Sequence, residues 1–249
     1  MSGHSKWSTI KRAKGVADIK RGQTFTKISN AITIAAKLGS GDPNSNLKLR
    51  SVLESAKAVN MPKENIQRAI DKGLGKLPGQ TLEEVTYEGF GPGRVAFLVE
   101  GVTDNRLRTL QIIKNIFEKS GGTMGGQGSV AHMFDKKGEL KITGKGGNAE
   151  EEELELIDVG AQDLESYIED GIQRYLVYTE AIKVTEVGIK ITQAGFEVES
   201  QELVRRPNVI EKISDPGLAK KVVEFVGKLE DLDDVQKVYA NIDIPENLM

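Results

Sequence analysis

The spacing of apolar residues changes once along this chain of 249 residues, near position 75. Up to Gly73 apolar residues recur at intervals of three and four, which predicts amphipathic helices. Gly75–Gln80 is typical of a linker, and beyond it short strand-like runs alternate with helical ones. The chain is therefore predicted to be an α+β protein whose first part is a small helical bundle.

Three short amphipathic helices are predicted in this first part. The first covers Gln23–Leu38, and the second follows the turn at Asp42-Pro43. The third is predicted to begin at Asn60, a good N-cap residue, to hold Pro62 in its first turn and to end at Gly73. Together the three helices can close one small core.

Strands and a helix alternate beyond the linker. Strand-like runs are Val85–Glu88, Val95–Val102 and Ser129–Asp135, and a helical stripe covers Arg106–Ser120. The helix is predicted to bury five apolar side chains: Leu107, Leu110, Ile113, Ile116 and Phe117.

The end of the chain repeats the strand–helix–strand order. A strand is predicted at Asn208–Ile213, then a helix from Pro216 capped by Asp215, then a strand at Val235–Ile242. The two units complete the order βαβ–βαβ of a ferredoxin-like domain. The second helix is predicted to bury Leu218, Val222, Val223 and Val226.

A second alternating block interrupts this order. Its predicted elements are a strand at Lys137–Thr143, an acidic helix from Ala149, a strand at Ile172–Thr179, a helix at Ala181–Ala194 and a strand at Phe196–Val204. The helix at 181–194 is rich in β-branched residues, but its apolar residues fit one helical face.

Three domains follow from this order of elements. They are a basic N-terminal helical domain at 1–78, a discontinuous ferredoxin-like α/β domain at 79–135 plus 208–249, and an inserted acidic α/β domain at 136–207.

Charge is divided unevenly between these parts. The net charge is −3, yet residues 1–76 contain fifteen Lys and Arg against five Asp and Glu, an excess of ten bases. The remaining residues contain 19 bases and 32 acids. This division indicates one part that meets a polyanion and another that does not.

The basic start of the chain is the candidate binding site. Clustered positive charge with one tryptophan suits a phosphate backbone, where each neutralised phosphate releases a counterion, although a solvated, frayed terminus has the same composition. Trp7 could stack on a base or pin the start of the chain to the helices. The candidate nucleic-acid-binding residues are His4, Lys6, Trp7, Lys11, Arg12, Lys14, Lys20, Arg21 and Lys27, with Lys63 and Arg68 on the third helix.

Composition argues against several classes of protein. The absence of cysteine removes disulfides, cysteine zinc sites and thiol chemistry, and is typical of a reducing cytoplasm. No apolar run approaches the roughly 18 residues of a membrane span, and the start lacks the apolar core of a signal peptide. We therefore expect a cytoplasmic protein with no membrane partner.

No catalytic constellation is evident. His4 and His132 are the two histidines, and His132 lies inside a strand pattern, so a two-histidine metal site is not expected. The glycine runs at 89–94 and 121–128 fit turns better than phosphate-binding loops. The acidic run Glu150–Glu153 is interpreted as a solvated helix face. No cofactor and no small-molecule substrate is predicted.

Five motifs occur in order along the whole chain. They are Met1–Trp7 (MSGHSKW), Asn60–Ile66 (NMPKENI), Tyr87–Gly93 (YEGFGPG), Thr103–Arg106 (TDNR) and Gly128–Val130 (GSV). On these motifs the chain resembles the YebC/PmpR family, whose relatives include the mitochondrial translational activator of cytochrome oxidase. Two positions depart from the pattern: Phe90 stands where many members carry tyrosine, and Arg94 where glycine is usual.

The resemblance implies a three-domain, cytoplasmic, non-enzymatic protein of gene expression. The family is commonly described as probable transcriptional regulators that bind DNA. Other members are similar to translation factors that act on the ribosome, where proline runs stall synthesis, and would bind ribosomal or transfer RNA. The acidic domains are free for contacts with the ribosome or another protein in either case. An enzyme with its active site in the acidic half has no motif to support it.

Overall fold

The computed structural model describes residues 21–78, 81–245 and 248. Seven α-helices lie in these ranges: α1 Arg21–Leu38, α2 Leu47–Ala58, α3 Lys63–Gly73, α4 Arg106–Lys119, α5 Ala149–Asp158, α6 Val184–Gln193 and α7 Pro216–Glu230. The strands are β1 Glu83–Phe90, β2 Ala96–Thr103, β3 Thr123–Met124, β4 Phe134–Thr143, β5 Asp163–Glu169, β6 Ile172–Glu180, β7 Glu197–Pro207, β8 Glu211–Lys212, β9 Val235–Ala240 and β10 Ile242–Asp243. The α+β class is confirmed.

Helices α1, α2 and α3 enclose the first core. Their apolar stripes meet around Ile32, Leu49 and Ile70, as the three-to-four spacing predicts. The predicted cap of α3 was wrong: Asn60 has a left-handed φ of 55°, and Pro62 takes the N-cap position without a side-chain hydrogen bond. Asparagine adopts left-handed φ more readily than most residues, so here it makes the turn before the helix.

Gly73 allows α3 to approach α1 closely. A Cβ atom added at Gly73 would lie 2.3 Å from the carbonyl oxygen of Thr33. The Thr33 hydroxyl donates across the same contact to the carbonyl oxygen of Ala69 at 3.1 Å. The glycine that the sequence predicts as a helix end is thus also a packing residue.

The first sheet has the strand order β3-β1-β2-β9, with every neighbouring pair antiparallel. Strands β2 and β3 therefore run parallel on either side of β1 and are joined through α4, which is a split βαβ unit. Helices α4 and α7 pack on this sheet around Phe97, Phe117 and Phe225, whose rings meet edge to face. The sheet has the antiparallel four-stranded order of a ferredoxin-like domain with one split βαβ unit, but the predicted chain order βαβ–βαβ is not observed, because β1 and β2 form a hairpin and 208–213 contributes no strand to this sheet.

Two of the predicted strands of this domain were wrong. Residues 129–133 are not extended: Ala131–Met133 forms a 3-10 turn, and His132 lies in it rather than in a strand. Strand β3 takes the predicted place after α4, and β1 fills the sheet position expected for 208–213. In that segment only β8 is extended, and it pairs in parallel with β10 outside the main sheet.

Helix faces were predicted well except at two positions. Leu107 is 73% exposed, and the buried residue in the first turns of α4 is Thr109. Val223 of α7 is also exposed, while Phe225 occupies the core. The cap at Asp215 is confirmed, because its carboxylate accepts from the backbone N–H groups of Gly217 and Leu218.

The second sheet has the order β5-β6-β4-β7 and carries helices α5 and α6. The predicted elements of this block are confirmed, including the helix over most of 181–194, but strand β5 was missed. Its core gathers Leu140, Ile142, Leu156 and Tyr175.

The chain forms two compact units. One contains the chain up to Phe134 and from Pro207 onward, and the other is Asp135–Arg206. The three-domain division, which also separates 1–78 from the ferredoxin-like part, stays a prediction.

Candidate nucleic-acid interface

Most of the predicted binding residues precede the first residue that the structure describes. His4, Lys6, Trp7, Lys11, Arg12, Lys14 and Lys20 lie outside the described residues, and Arg21 is the first residue of α1. Lys27, Lys63 and Arg68 can be placed with their side chains.

Lys27 is engaged within the protein. Its Nζ donates to the backbone carbonyl oxygen of Glu230, at the end of α7. On the same helix, Nε2 of Gln23 donates to the carbonyl oxygen of Asp231 at 3.3 Å. The last carbonyl groups of a helix have no intrahelical donor, so a lysine there is favourable for both hydrogen bonding and the helix dipole.

Lys63 and Arg68 are exposed on α3. Neither side chain makes an ion pair or hydrogen bond with any residue in 21–78, 81–245 or 248. Five positions separate them, which is about 140° around an α-helix. The two charges consequently flank the solvent side of α3 and do not form one row.

Two further bases of the helical part also lack a partner among the described residues and were not among the predicted residues. Lys57 at the end of α2 is exposed and Lys72 in the last turn of α3 is half-buried, and neither has a partner in the described part of the chain. Both belong to the charge excess of residues 1–76, so charge counting alone could have included them. With Lys63 and Arg68 they form what we call the α2–α3 basic set.

Other bases of the helical part have partners within the protein. Lys37 donates to the carbonyl oxygen of Leu82 at 2.8 Å, and Lys48 pairs with Glu84. The Arg50 guanidinium donates to carbonyl oxygens of the preceding turn. Exposed cations whose donors are unused are better suited to a phosphate than cations that must first release a partner.

The charge of Glu88 has a structural role, because its carboxylate holds a glycine-rich loop through hydrogen bonds. Its carboxylate accepts from the backbone N–H groups of Gly128, Val130 and Ala131 at 2.7–2.8 Å, and the residue is 5% exposed. Burial by itself raises the pKa of Glu88, but these bonds and nearby His132 outweigh burial and hold the pKa below its ordinary value.

Glu152 plays the same part in the second compact unit. It accepts from the N–H groups of Lys145 and Gly147 and from the Tyr175 hydroxyl, and it is 4% exposed. The interpretation of the acidic run as a solvated face was therefore wrong at this position. Burial, and then the bond to Glu152, raise the pKa of Tyr175.

Two other kinds of site were searched for within the described ranges. No set of three or more His, Asp or Glu side chains is placed there to hold a metal ion. None of the helices described is both long enough and apolar enough to span a membrane.

Comparison with known proteins places the chain among relatives along its whole length. A family model described as the TACO1/YebC protein N-terminal domain matches residues 5–76, and one described as the TACO1/YebC second and third domain matches 82–242. Proteins named probable transcriptional regulatory protein are 47% identical in Citrifermentans bemidjiense, over 100% of this chain and 98% of the relative, and 47% identical in Geobacter sulfurreducens, over 98% and 96%.

A solved structure has the same fold. The crystal structure of a conserved hypothetical protein from Aquifex aeolicus superposes with a TM-score of 0.85 at 39% identity, covering 97% of this chain and 98% of the other. On sequence and structure together, the chain belongs to the TACO1/YebC family.

Proposed function

We propose that this protein is a non-enzymatic regulator of gene expression that binds nucleic acid through its basic N-terminal part, in the cytoplasm. The observation that carries the proposal is the α2–α3 basic set, Lys57, Lys63, Arg68 and Lys72, whose charges have no partner in the described chain. The excess of ten bases in residues 1–76 extends the same chemistry to the start of the chain.

DNA is the first candidate target. The relatives from Citrifermentans bemidjiense and Geobacter sulfurreducens are named probable transcriptional regulatory proteins. In this form of the proposal α3 and the residues before α1 contact the phosphates of a duplex. Acidic surface in the second compact unit is repelled by phosphate and stays available for protein contacts.

The placement of Lys63 and Arg68 favours a second candidate, ribosomal or transfer RNA. A helix that reads the major groove presents several base-contacting side chains on one face. Lys63 and Arg68 lie about 140° apart around α3, so at most one of these two points into a groove while the other meets backbone. Proteins usually recognise folded RNA by contacting its phosphates and by fitting its overall shape.

The test is sedimentation of cell lysate on a sucrose gradient, followed by detection of the protein. Co-migration with ribosomal particles that is lost when all four residues of the α2–α3 basic set are replaced by alanine supports the RNA form. Sedimentation at the top, with retention on a DNA column that resists non-specific competitor, supports the DNA form. The matched control replaces four bases of the second compact unit: Lys136, Lys137, Lys183 and Lys190.

If the unmodified protein neither sediments with ribosomal particles nor is retained on the DNA column, the proposal is wrong. Equal loss in the control variant contradicts the role of the α2–α3 basic set, because net charge alone would then explain the binding.

A further inference from the structure

A cleft of about 600 Å³ opens between the turn that joins β1 to β2 and the loop that joins α4 to β3. This volume lies within the roughly 300–1,000 Å³ of small-ligand pockets. No acidic side chain is among the described residues that line it. The lining residues are Phe90, Gly91, Gly93, Arg94, Gly121, Gly122 and Thr123.

Glycines make the walls of the cleft from bare backbone. A Cβ atom added at Gly122 would lie 2.5 Å from the carbonyl oxygen of Phe90, and one at Gly91 would lie 2.5 Å from the Phe97 ring. Gly121, at φ 76°, has open space where its Cβ would be. Gly122 therefore lets its loop lie directly against the backbone of Phe90, and no side chain fills the space beside Gly121.

Arg94 supplies the one formal charge among the described residues that line the cleft. Its φ of 63° is a left-handed conformation that favours glycine. Its exposed guanidinium makes no ion pair or hydrogen bond with any described residue. A strained arginine with unused donors gives nothing to the fold that glycine would not give, so its side chain is a candidate for function.

Phe90 supplies an aromatic surface. Along β1, Val85 and Tyr87 point to the core beneath α4 and α7, so Glu88 and Phe90 point to the opposite face of the sheet. Phe90 is 37% exposed at the end of the strand. An exposed ring and an exposed guanidinium without a partner among the described residues line the same cleft, and this is a combination that can bind an unstacked base and its phosphate.

We propose that this cleft binds an unpaired nucleotide of a single-stranded nucleic acid, with the base stacked on Phe90 and the phosphate held by Arg94. The inference rests on the proposed nucleic-acid binding and adds to it a second contact, one that a duplex cannot use because its bases are stacked. The open space beside the bare backbone of Gly121 leaves room for the sugar and phosphate.

The experiment measures binding of the full-length protein to a fluorescein-labelled ten-nucleotide oligouridine and to a labelled DNA duplex of ten base pairs, by anisotropy. The variants are Arg94→Gly, which removes the charge and relieves the backbone, and Phe90→Leu, which removes the ring and keeps an apolar side chain. Lys136→Ala, an exposed base of the second compact unit, is the charge-matched control. Circular dichroism melting verifies that each variant is folded.

We expect both cleft variants to weaken oligouridine binding by about 5- to 50-fold and duplex binding by less than about twofold. The control should leave both unchanged, and Arg94→Gly should melt at or above the temperature of the unmodified protein. If both cleft variants bind oligouridine with an affinity within twofold of the unmodified protein, the inference about the cleft is wrong but the proposed function stands. Equal weakening on the duplex also overturns the inference about the cleft. No binding of either probe by the unmodified protein overturns the proposed function with it.

Discussion

Nζ of Lys27 donates a hydrogen bond to the backbone carbonyl oxygen of Glu230, the last residue of α7. This bond links the basic first helix to the α/β part of the same compact unit. One of the eleven predicted binding residues is thereby engaged in the fold, whereas Lys63 and Arg68 are not.

Replacing Lys27 by alanine should therefore change stability more than binding. We expect the free energy of unfolding to fall by about 0.5–1.5 kcal/mol, the usual worth of an intramolecular hydrogen bond. Nucleic-acid affinity should stay within about twofold. Urea denaturation and anisotropy titration measure the two quantities, and Lys63→Ala should show the reverse pattern. A Lys27 variant that binds tenfold more weakly at unchanged stability would refute this assignment.

Glu88→Gln should destabilise the protein in a pH-dependent way. The charge-assisted bonds to the 128–131 loop make a loss of about 1–3 kcal/mol reasonable at pH 7. Because the pKa of Glu88 is lower in the folded state, its stabilising contribution is present above the ordinary value of 4.5 and is lost as pH falls through the folded pKa.

The measurement for Glu88 is urea denaturation of both proteins between pH 3 and pH 7. The difference in unfolding free energy should be largest at neutral pH and shrink below pH 4.5. Glu224→Gln, on an exposed carboxylate of α7 that has no partner among the described residues, is the control. A constant difference across the range would show that the charge of Glu88 is not what holds the loop.

Two helical glycines should respond to alanine in opposite directions. At Gly73 the new Cβ would lie 2.3 Å from the Thr33 carbonyl oxygen, so α1 and α3 must separate, at a cost of about 1–3 kcal/mol. At Gly227 in α7 nothing lies within 4 Å, and alanine should stabilise by about 0.5–1 kcal/mol. Thermal melting of the two variants tests this, and a stabilised Gly73→Ala protein would contradict the close packing of α1 on α3.

Local patterns predicted most helices because the apolar stripe of a helix lies within its own sequence. The strand prediction for 129–135 was wrong because the structure of this segment depends on a residue far away in the sequence. The apolar residues of this segment resemble a strand, but the N–H groups of Val130 and Ala131 bond to the carboxylate of Glu88, more than forty residues earlier. Strand β5 lies at a sheet edge with much of its surface exposed, so its sequence lacks a strong apolar signal.

The sequence predicts where the positive charge of the candidate site lies, but not which of its charged side chains have partners in the fold. Counting residues places the positive charge in 1–76. It cannot tell that the partner of Lys27 lies 203 positions away or that Lys57 and Lys72 have none. Similarly, the sequence alone does not show that Arg94 has a left-handed φ, the conformation that favours glycine.

The most direct test of nucleic-acid binding by the basic N-terminal part is the salt dependence of affinity. Binding of a labelled DNA duplex should be measured between 50 and 300 mM salt for the unmodified protein and for the variant with alanine at Lys11, Arg12 and Lys14. We expect weaker binding and a plot of log K against log salt flattened by up to about 0.9 for each lost phosphate contact. Unchanged affinity with an unchanged slope would contradict phosphate binding by these residues.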